Sequence, residues 1–310
     1  MAEPTRQLHG LLLVDKPEGL TSAAVVAQVK RRLGQRKVGH LGTLDPFATG
    51  LLPICLGEGT KIAPFLADDE KRYVGEIALG AVTDTLDRTG TVLERQPVPP
   101  LRPAVLAAAA ARFRGDLQQT PPMYSALKRG GVPLYRLARA GQTVERAPRP
   151  VRITRFEIAQ LAPDRLAFAV TCSRGTYVRV LAHDLGLALG TGAHLATLRR
   201  TACGAFEVAA ALALDALADA AAEDRLPLLT PSAALAGLRA VVADARTIGA
   251  IRRGQQRALD NLGRPRAVAE VVRVESGAGE LIAIAAAASD GVSWQLARVW
   301  TAGASERHLA

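Results

Sequence analysis

The chain has 310 residues, a formal net charge of +10 and a sequence pI near 10.1. Its hydrophobic content of 49% is enough for a sizeable core and predicts two folded domains. No charge-free apolar stretch of about 18 residues predicts a membrane span, and the polar residues 1–10 do not resemble a signal peptide. The sequence therefore predicts a cytoplasmic protein.

The excess of positive charge favours a polyanionic partner, because binding would release counterions. Most of the basic residues are arginine and alanine is abundant, a composition that a GC-rich genome also produces, so charge alone leaves nucleic-acid binding open. The three cysteines, Cys55, Cys172 and Cys203, form no CxxC pair, and the histidines show no HExxH spacing. The sequence predicts neither a disulfide framework nor a metal site.

The first predicted elements are a strand over residues 10–14 and a helix over residues 23–33. Pro17 and Gly19 form a turn between them, and Thr21 supplies an N-cap. Basic residues cluster at 30–37, where the helix ends. They are explained either by the helix dipole, which favours cations at this end, or by a ridge that binds phosphate. A glycine-rich loop over residues 39–50 then leads into an apolar run.

Downstream, the hydrophobic pattern alternates between strands and helices, with one long segment rich in glycine, proline and basic residues. The predicted elements are a strand at 73–79, a helix at 104–114, an exposed insertion at 118–150, strands at 151–159 and 166–171, a helix at 175–189, and short strands at 268–274, 281–285 and 294–299; the apolar run at 51–56 is not assigned. A composition shift at 233–238 predicts a domain boundary there.

Asp45 is the sharpest candidate for chemistry. Pro46 disfavours a helical conformation at Asp45, so its carboxylate is expected in an extended or turn segment at the head of the apolar run. On local sequence alone Asp45 could equally be a turn residue or N-cap. Tyr73 could be an ordinary strand aromatic, and Arg179 an ordinary arginine on a helix surface.

A series of short motifs in residues 10–206 carries the most specific signal. They are Lys16-Pro17-x-Gly19-x-Thr21-Ser22, Gly39-His40-x-Gly42-Thr43-Leu44-Asp45-Pro46-x-Ala48-Thr49-Gly50, Lys71-Arg72-Tyr73, Thr83-Asp84-Thr85-x-Asp87, Gln119-Thr120-Pro121-Pro122-x-Tyr124-Ser125-Ala126-x-Lys128, Ser173-Arg174-Gly175-Thr176-Tyr177-Val178-Arg179 and Leu198-Arg199-Arg200-Thr201. In this order they resemble the motifs of the TruB family of pseudouridine synthases. The last 70 or so residues resemble a PUA-type RNA-binding domain loosely.

The resemblance implies an α/β (α+β) pseudouridine-synthase fold with a mixed, mainly antiparallel sheet in residues 1–235, interrupted by an insertion at about 118–150. It implies a small β-rich, PUA-like RNA-binding domain in residues 236–310. The expected partner is tRNA, bound through its T stem-loop, where one uridine becomes pseudouridine. Because the net reaction is an isomerisation, no redox cofactor, metal or nucleotide is expected. No protein partner is implied, and a monomer is expected.

The family's functional residues map onto this chain as three catalytic and several substrate-binding side chains. Asp45 corresponds to the nucleophile, with attack at C6 of the base or at C1′ of the sugar left open. Arg179 corresponds to its ion-pair partner and would orient it. Tyr73 corresponds to the residue that stacks on the flipped base and that, in some proposals, also assists proton removal from C5. The resemblance also implies further contacts with the substrate. His40 would occupy the space that the flipped nucleotide vacates in the T loop. Tyr177 and Leu198 would line the uracil pocket, and Lys16 would contact a phosphate.

Two other functions stay open at the level of sequence. One is an RNA-binding or RNA-folding factor in which Asp45 is vestigial. The other is a pseudouridine synthase that acts on ribosomal RNA or at another tRNA position, whose catalytic residues would be the same. Substitution of Asp45 separates the first from an enzyme, and mapping of the modified nucleotide separates the second.

Overall fold

The computed structural model describes residues 7–66 and 70–300. Residues 1–6, 67–69 and 301–310 lie outside the described residues. The predicted domains, residues 1–235 and 236–310, are therefore described only in part. Within the described part of the chain, no helix has both the length and the apolar character needed to cross a membrane.

The described residues form short helices set between strands. In chain order the elements are β1 (Gly10–Lys16), α1 (Ser22–Arg32), β2 (Val38–His40), β3 (Thr49–Leu56), α2 (Ala63–Leu66), β4 (Lys71–Leu79), β5 (Ala81–Thr83), β6 (Val92–Arg95), α3 (Pro103–Ala111), β7 (Gly115–Gln119), β8 (Lys128–Arg129), β9 (Val132–Pro133), α4 (Leu134–Arg139), β10 (Arg149–Ala162), β11 (Arg165–Cys172), α5 (Val178–Leu189), β12 (Ala193–Cys203), β13 (Phe206–Glu207), β14 (Leu212–Ala213), α6 (Leu217–Ala222), β15 (Leu228–Leu229), α7 (Pro231–Ala234), β16 (Arg239–Val242), α8 (Ala245–Arg252), β17 (Val271–Glu275), β18 (Leu281–Ala287) and β19 (Trp294–Val299).

Most of the strands belong to one large sheet with the order β14-β1-β3-β12-β4-β11-β10-β7. Among the described strands of this sheet, β3 pairs with β12 and β1 with β14 in parallel, while the other pairings are antiparallel. A second sheet, in the order β16-β17-β18-β19, follows near the C-terminal end. The prediction of a mixed, mainly antiparallel sheet followed by a small β-rich region is confirmed.

Helices cover the large sheet because their apolar residues fall on one face. In α1, Val25 and Val29 are four residues apart and fully buried, and they pack with Leu12 of β1 and Leu52 of β3. A separate core forms where α3 and α5 pack against β4, β10, β11 and β12. The two cores lie against different strands of the same sheet, the first against β1 and β3 and the second against β4, β10, β11 and β12.

The register of β3, β12 and β4 brings distant segments together. Arg200 in β12 is the partner of Gly50 in β3 on one side and of Tyr73 in β4 on the other. Gly50 has a φ of 101°, and a Cβ at this position would lie 2.3 Å from the Arg200 carbonyl oxygen. Only glycine fits this close approach of β3 to β12, so the loop that precedes β3 is held beside Tyr73.

Two predictions need correction, the start of one helix and the exposure of one segment. The helix expected from residue 175 begins at Val178, because Gly175 has a φ of 79°, and Thr176 donates a hydrogen bond from its hydroxyl to the Ser173 carbonyl. The segment 118–150 is not wholly exposed as predicted, since Gln119 and Ser125 are buried. The first part of this insertion therefore packs onto the rest of the chain.

The C-terminal sheet shares a hydrophobic core with the large sheet. Trp300 is fully buried in a cluster that includes Leu11 of β1 and Ile284 of β18. Lys61 donates a hydrogen bond of 3.0 Å to the Val299 carbonyl oxygen and lies 5.6 Å from the centre of the Trp300 ring. The predicted boundary near residue 235 thus separates two sheets that share one core.

We expect Trp300→Ala to lower the free energy of unfolding by about 3–5 kcal/mol, the usual cost of removing a buried aromatic ring. Urea denaturation monitored by circular dichroism measures this change. Val268→Ala is the matched control, because Val268 is 84% exposed, and it should change stability by less than about 0.5 kcal/mol. A small effect of Trp300→Ala would show that the shared core does not couple the two sheets.

Candidate active site

The loop that carries Asp45 is held by hydrogen bonds on both sides of this residue. The buried hydroxyl of Ser22 accepts a hydrogen bond from the Leu44 amide at 2.8 Å and donates one to the Leu44 carbonyl at 3.1 Å. On the other side, the Gly19 amide donates to the Pro46 carbonyl at 2.8 Å. Because its neighbours are fixed in this way, the backbone of Asp45 has little freedom to move.

Asp45 forms a two-point ion pair with Arg179, which lies in the first turn of α5. The Arg179 Nε donates to Oδ2 of Asp45 at 2.8 Å, and its Nη2 donates to Oδ1 at 3.2 Å. The side chain of Arg179 is 4% exposed, whereas that of Asp45 is 33% exposed. A bidentate pair of this kind fixes the plane of the carboxylate, so Asp45 is oriented yet open to a ligand.

Three further groups hold the guanidinium of Arg179. Its Nη1 donates to the Thr85 carbonyl and its Nη2 to the Tyr124 carbonyl, both at 2.8 Å. The Asp87 carboxylate lies 3.7 Å from Nε. Asp87 accepts hydrogen bonds from the hydroxyl of Thr85 and from Thr89, which orient it. The guanidinium is therefore preorganised before any substrate binds.

Two cavities meet at Asp45. The larger, of about 790 Å³, is lined by residues of α1, of the turn after β5 and of the insertion, including Thr21, Asp84 and Tyr124. The smaller, of about 320 Å³, is lined by Tyr73, Tyr177 and Leu198 among others. Asp45 and Arg179 belong to both walls. The site thus combines a narrow pocket with a wider cleft, and Asp45 lines both.

The structure brings together the aromatic and apolar residues that the sequence placed around the base. Tyr73 is buried on β4, and burial raises the pKa of its phenol to about 12, although the neighbouring Arg200 opposes this. Burial also raises the pKa of Tyr177, against the effect of the nearby Ser125 hydroxyl. Both phenols therefore remain protonated at neutral pH. Leu198 supplies an apolar wall from β12.

His40 ends β2 and lines the larger cavity. Burial, the largest cause, lowers the pKa of His40, and the charge of Arg200 lowers it further. Its ring is consequently neutral at neutral pH. The Nδ1 atom is buried and has no hydrogen-bond partner within the described residues. The position of His40 at the cavity wall is compatible with the predicted substrate contact, which stays a prediction.

Lys16 is placed differently from its prediction. Its side chain is fully buried, and its ammonium donates to the carbonyl oxygens of Pro17 at 2.9 Å, Leu20 at 2.7 Å and Pro46 at 3.2 Å. These bonds use all three ammonium protons and leave none for a phosphate. Lys16 instead ties the end of β1 to the loop that carries Asp45, and its contact with a phosphate stays a prediction.

The buried position of Lys16 predicts a pH-dependent stability. Burial lowers the pKa of Lys16 to about 8, although Asp45 and Glu18 oppose this, and its ordinary value is 10.5. Between these values the unfolded chain retains a proton that the folded chain has lost, so the contribution of Lys16 to stability rises with pH. Relative to Lys16→Met, wild type should gain about 1–2 kcal/mol between about pH 7.5 and 9.5.

Urea denaturation at the two pH values measures this difference. Lys128→Met is the control, because Lys128 is exposed and its substitution should leave the pH dependence of wild type unchanged. An identical pH dependence in wild type and Lys16→Met would contradict the assignment.

Two supporting residues of the site, Gln119 and Asp87, were not singled out from the sequence. The side chain of Gln119 accepts a hydrogen bond from the Tyr177 amide at 2.7 Å and donates one to the Tyr177 carbonyl at 3.1 Å, which fixes the start of α5. Asp87 supports Arg179, as described above. Both residues belong to the motifs given above, and this was the only sign in the sequence that they have a role. Their partners, Tyr177 and Arg179, are too distant in sequence for the contacts to be predicted.

Comparison with known proteins defines the class of protein. Residues 30–178 match the profile of the TruB family pseudouridylate synthase (N terminal domain), and residues 179–244 match that of the tRNA pseudouridylate synthase B C-terminal domain. A chain of a solved Cbf5–Nop10–Gar1 complex is similar in fold, with a TM-score of 0.72 and 26% identity, over 94% of this chain and 84% of that chain. The chain has the fold of a pseudouridine synthase, an isomerase.

Curated relatives narrow the class to one family. The tRNA pseudouridine synthase B of Ralstonia pickettii is 46% identical over 299 residues, which cover 94% of this chain and 92% of that protein. That of Opitutus terrae is 52% identical over 217 residues, which cover 70% of this chain and 90% of that protein. The chain belongs to the TruB family of pseudouridine synthases.

Proposed function

We propose that this protein converts one uridine in the T loop of tRNA to pseudouridine, with Asp45 as the nucleophile. The observation that carries the proposal is the oriented Asp45 carboxylate at the junction of two cavities, paired with a buried Arg179. The name shared by the relatives, tRNA pseudouridine synthase B, supports tRNA as the substrate. The net charge of +10 favours such a polyanion.

The geometry supports the following sequence of events. The target uridine leaves the RNA stack, at a cost of a few kcal/mol, and its base enters the smaller cavity beside Tyr73. Stacking on the Tyr73 ring returns about 1–3 kcal/mol. The Asp45 carboxylate attacks, at C6 or at C1′, and the resulting covalent adduct divides one difficult step into two. The C1′–N1 bond breaks, the base rotates and C5 bonds to C1′. The bond to Asp45 then breaks, the C5 proton passes to solvent and N1 takes up a proton.

The remaining parts of the chain have supporting roles in this proposal. The β-rich region from residue 236 onward acts as a PUA-like RNA-binding domain, and the insertion at 118–150 contributes Tyr124 and Ser125 to the cleft that receives the T loop. His40 contacts the T loop from the opposite wall. In this proposal the protein acts as a monomer in the cytoplasm.

An RNA hairpin that reproduces the T arm, with tritium at uracil C5, tests the proposal. Pseudouridine formation removes the hydrogen from C5, so wild type should release at most one tritium per hairpin. A hairpin with cytidine at the target position, and with its other uridines labelled, should release none. Equal release from both hairpins would place the activity at another uridine, and release from neither, with tight binding of both, would favour an RNA-binding factor.

A further inference from the structure

Arg200 is a buried arginine that the proposed mechanism does not yet use. It lies in β12 and its side chain is fully buried. Its Nε donates to the Leu51 carbonyl at 2.7 Å, its Nη2 to the Gly42 carbonyl at 3.1 Å, and its Nη1 lies 3.5 Å from the Thr43 carbonyl. These carbonyl groups belong to the segments just before and just after Asp45.

The charge of Arg200 lacks a counter-ion in the part of the chain that the structure describes. Its guanidinium bonds to carbonyl oxygens and forms no ion pair with a described carboxylate. Arg179 pairs with Asp45, and the neighbouring Arg199 pairs with Asp15 at 2.7 Å. A buried charge without a partner is costly, and it stabilises any negative charge that forms close to it.

The position of Arg200 places that charge at the wall of the cavity that is proposed to receive the base. It lines the smaller cavity together with Asp45 and Tyr73. It is also the direct neighbour of Tyr73 across β12 and β4, and its guanidinium lies beside the Tyr73 phenol. A uracil that stacks on Tyr73 in this cavity would thus meet a positive charge at its edge.

We infer that Arg200 stabilises the negative charge that the uracil acquires during the isomerisation, an inference that rests on the proposed function. If Asp45 attacks C1′, a bond forms between the carboxylate oxygen and C1′ while the C1′–N1 bond breaks. The bonding electron pair then leaves with the uracil and is shared by N1, O2 and O4.

The alternative route leads to the same requirement. If Asp45 attacks C6, a bond forms between the carboxylate oxygen and C6, and the π electrons of the C5–C6 double bond move to C5 and O4 as an enolate. Both routes produce an anionic base in the cavity. A fixed cation beside that base lowers the barrier because it requires no reorganisation when the charge develops.

Two substitutions separate the charge of Arg200 from its hydrogen bonds. Arg200→Gln keeps a donor for the loop carbonyls but removes the charge, and it should slow single-turnover tritium release from tRNA by about 100-fold or more. Arg200→Lys keeps the charge and should lose less than about 10-fold. The tRNA dissociation constant should stay close to wild type. Equal rates for the two variants would overturn the inference.

Arg199→Gln is the matched control, because Arg199 is the preceding residue of β12 and pairs with Asp15 instead of facing the cavity. It should keep the rate of wild type, and a loss as large as that of Arg200→Gln would overturn the inference. If wild type itself releases no tritium from tRNA, the proposed function has failed; if only the predicted effect of Arg200 is missing, this inference has failed alone.

A second substrate gives a readout that a purely structural role would not change. Fluorine at uracil C5 withdraws electrons and stabilises an anionic base, so it should reduce the dependence on Arg200. With T-arm RNA that carries 5-fluorouridine, the rate at which that nucleoside disappears should fall less in Arg200→Lys and Arg200→Gln than the rate with uridine does. An equal loss of rate with uridine and with 5-fluorouridine would contradict the inference. If Arg200→Gln does not fold, the comparison of the two substrates is made with Arg200→Lys alone.

Discussion

Asp45→Asn is expected to slow pseudouridine formation by on the order of 10⁴-fold or more. Asparagine has the same shape and still offers an oxygen to Arg179, but its amide is a poor nucleophile, so no covalent adduct forms. Single-turnover tritium release with excess enzyme measures the chemical step directly. The affinity for tRNA, measured by filter binding, should change little because the cavity walls are retained.

The control for this substitution is Asp116→Asn. Asp116 lies on β7, its side chain is 79% exposed, and its nearest basic partner is Arg152 at 3.4 Å. Its loss should leave both the rate and the affinity unchanged. Equal rates for the Asp45 and Asp116 variants would remove Asp45 from the centre of the mechanism.

Arg179→Lys is expected to have the second largest effect, a loss of about 10²–10³-fold in kcat. Arg179 donates to both oxygens of Asp45 and also to the carbonyls of Thr85 and Tyr124. Lysine keeps the charge but cannot reproduce the planar fork that makes these contacts at once. The carboxylate would lose its fixed orientation, and the tritium-release assay should show a lower kcat with a nearly unchanged KM.

Arg165→Lys serves as the control for Arg179→Lys. Arg165 contacts Glu76 at 3.4 Å, with a side chain that is 40% exposed, so a lysine there should retain full activity. If Arg179→Lys matched this control in kcat, the two-point contact with Asp45 would have no role in catalysis.

The fold was predictable where one face of an element is buried and the other is exposed. Alternation in β4 and β11, and the spacing of Val25 and Val29 in α1, led directly to those elements. The long strand β12 was not predicted. Bulges between Leu195 and Thr197 and between Arg200 and Ala202 interrupt its alternation, and a bulge shifts every following side chain to the opposite face.

The site was predictable only in part, for a different physical reason. The pairing of Asp45 with Arg179 followed from motifs, but the pattern could not show what surrounds them. The resemblance implied that Lys16 contacts a phosphate, but no motif could show that its ammonium is enclosed by three carbonyl groups. The environment of Arg200 was hidden likewise, since its acceptors are backbone atoms about 150 residues away in sequence, a separation that only the register of the sheet closes.

The central claim, that Asp45 converts a T-loop uridine in tRNA, is tested most directly by mapping pseudouridine at single-nucleotide resolution. Unmodified full-length tRNA would be incubated with wild type or with Asp45→Asn, treated with a carbodiimide that labels pseudouridine, and read by primer extension. One new stop is expected at the T-loop uridine with wild type, and none with Asp45→Asn. A stop at another position, or the same T-loop stop with both proteins, would contradict the claim.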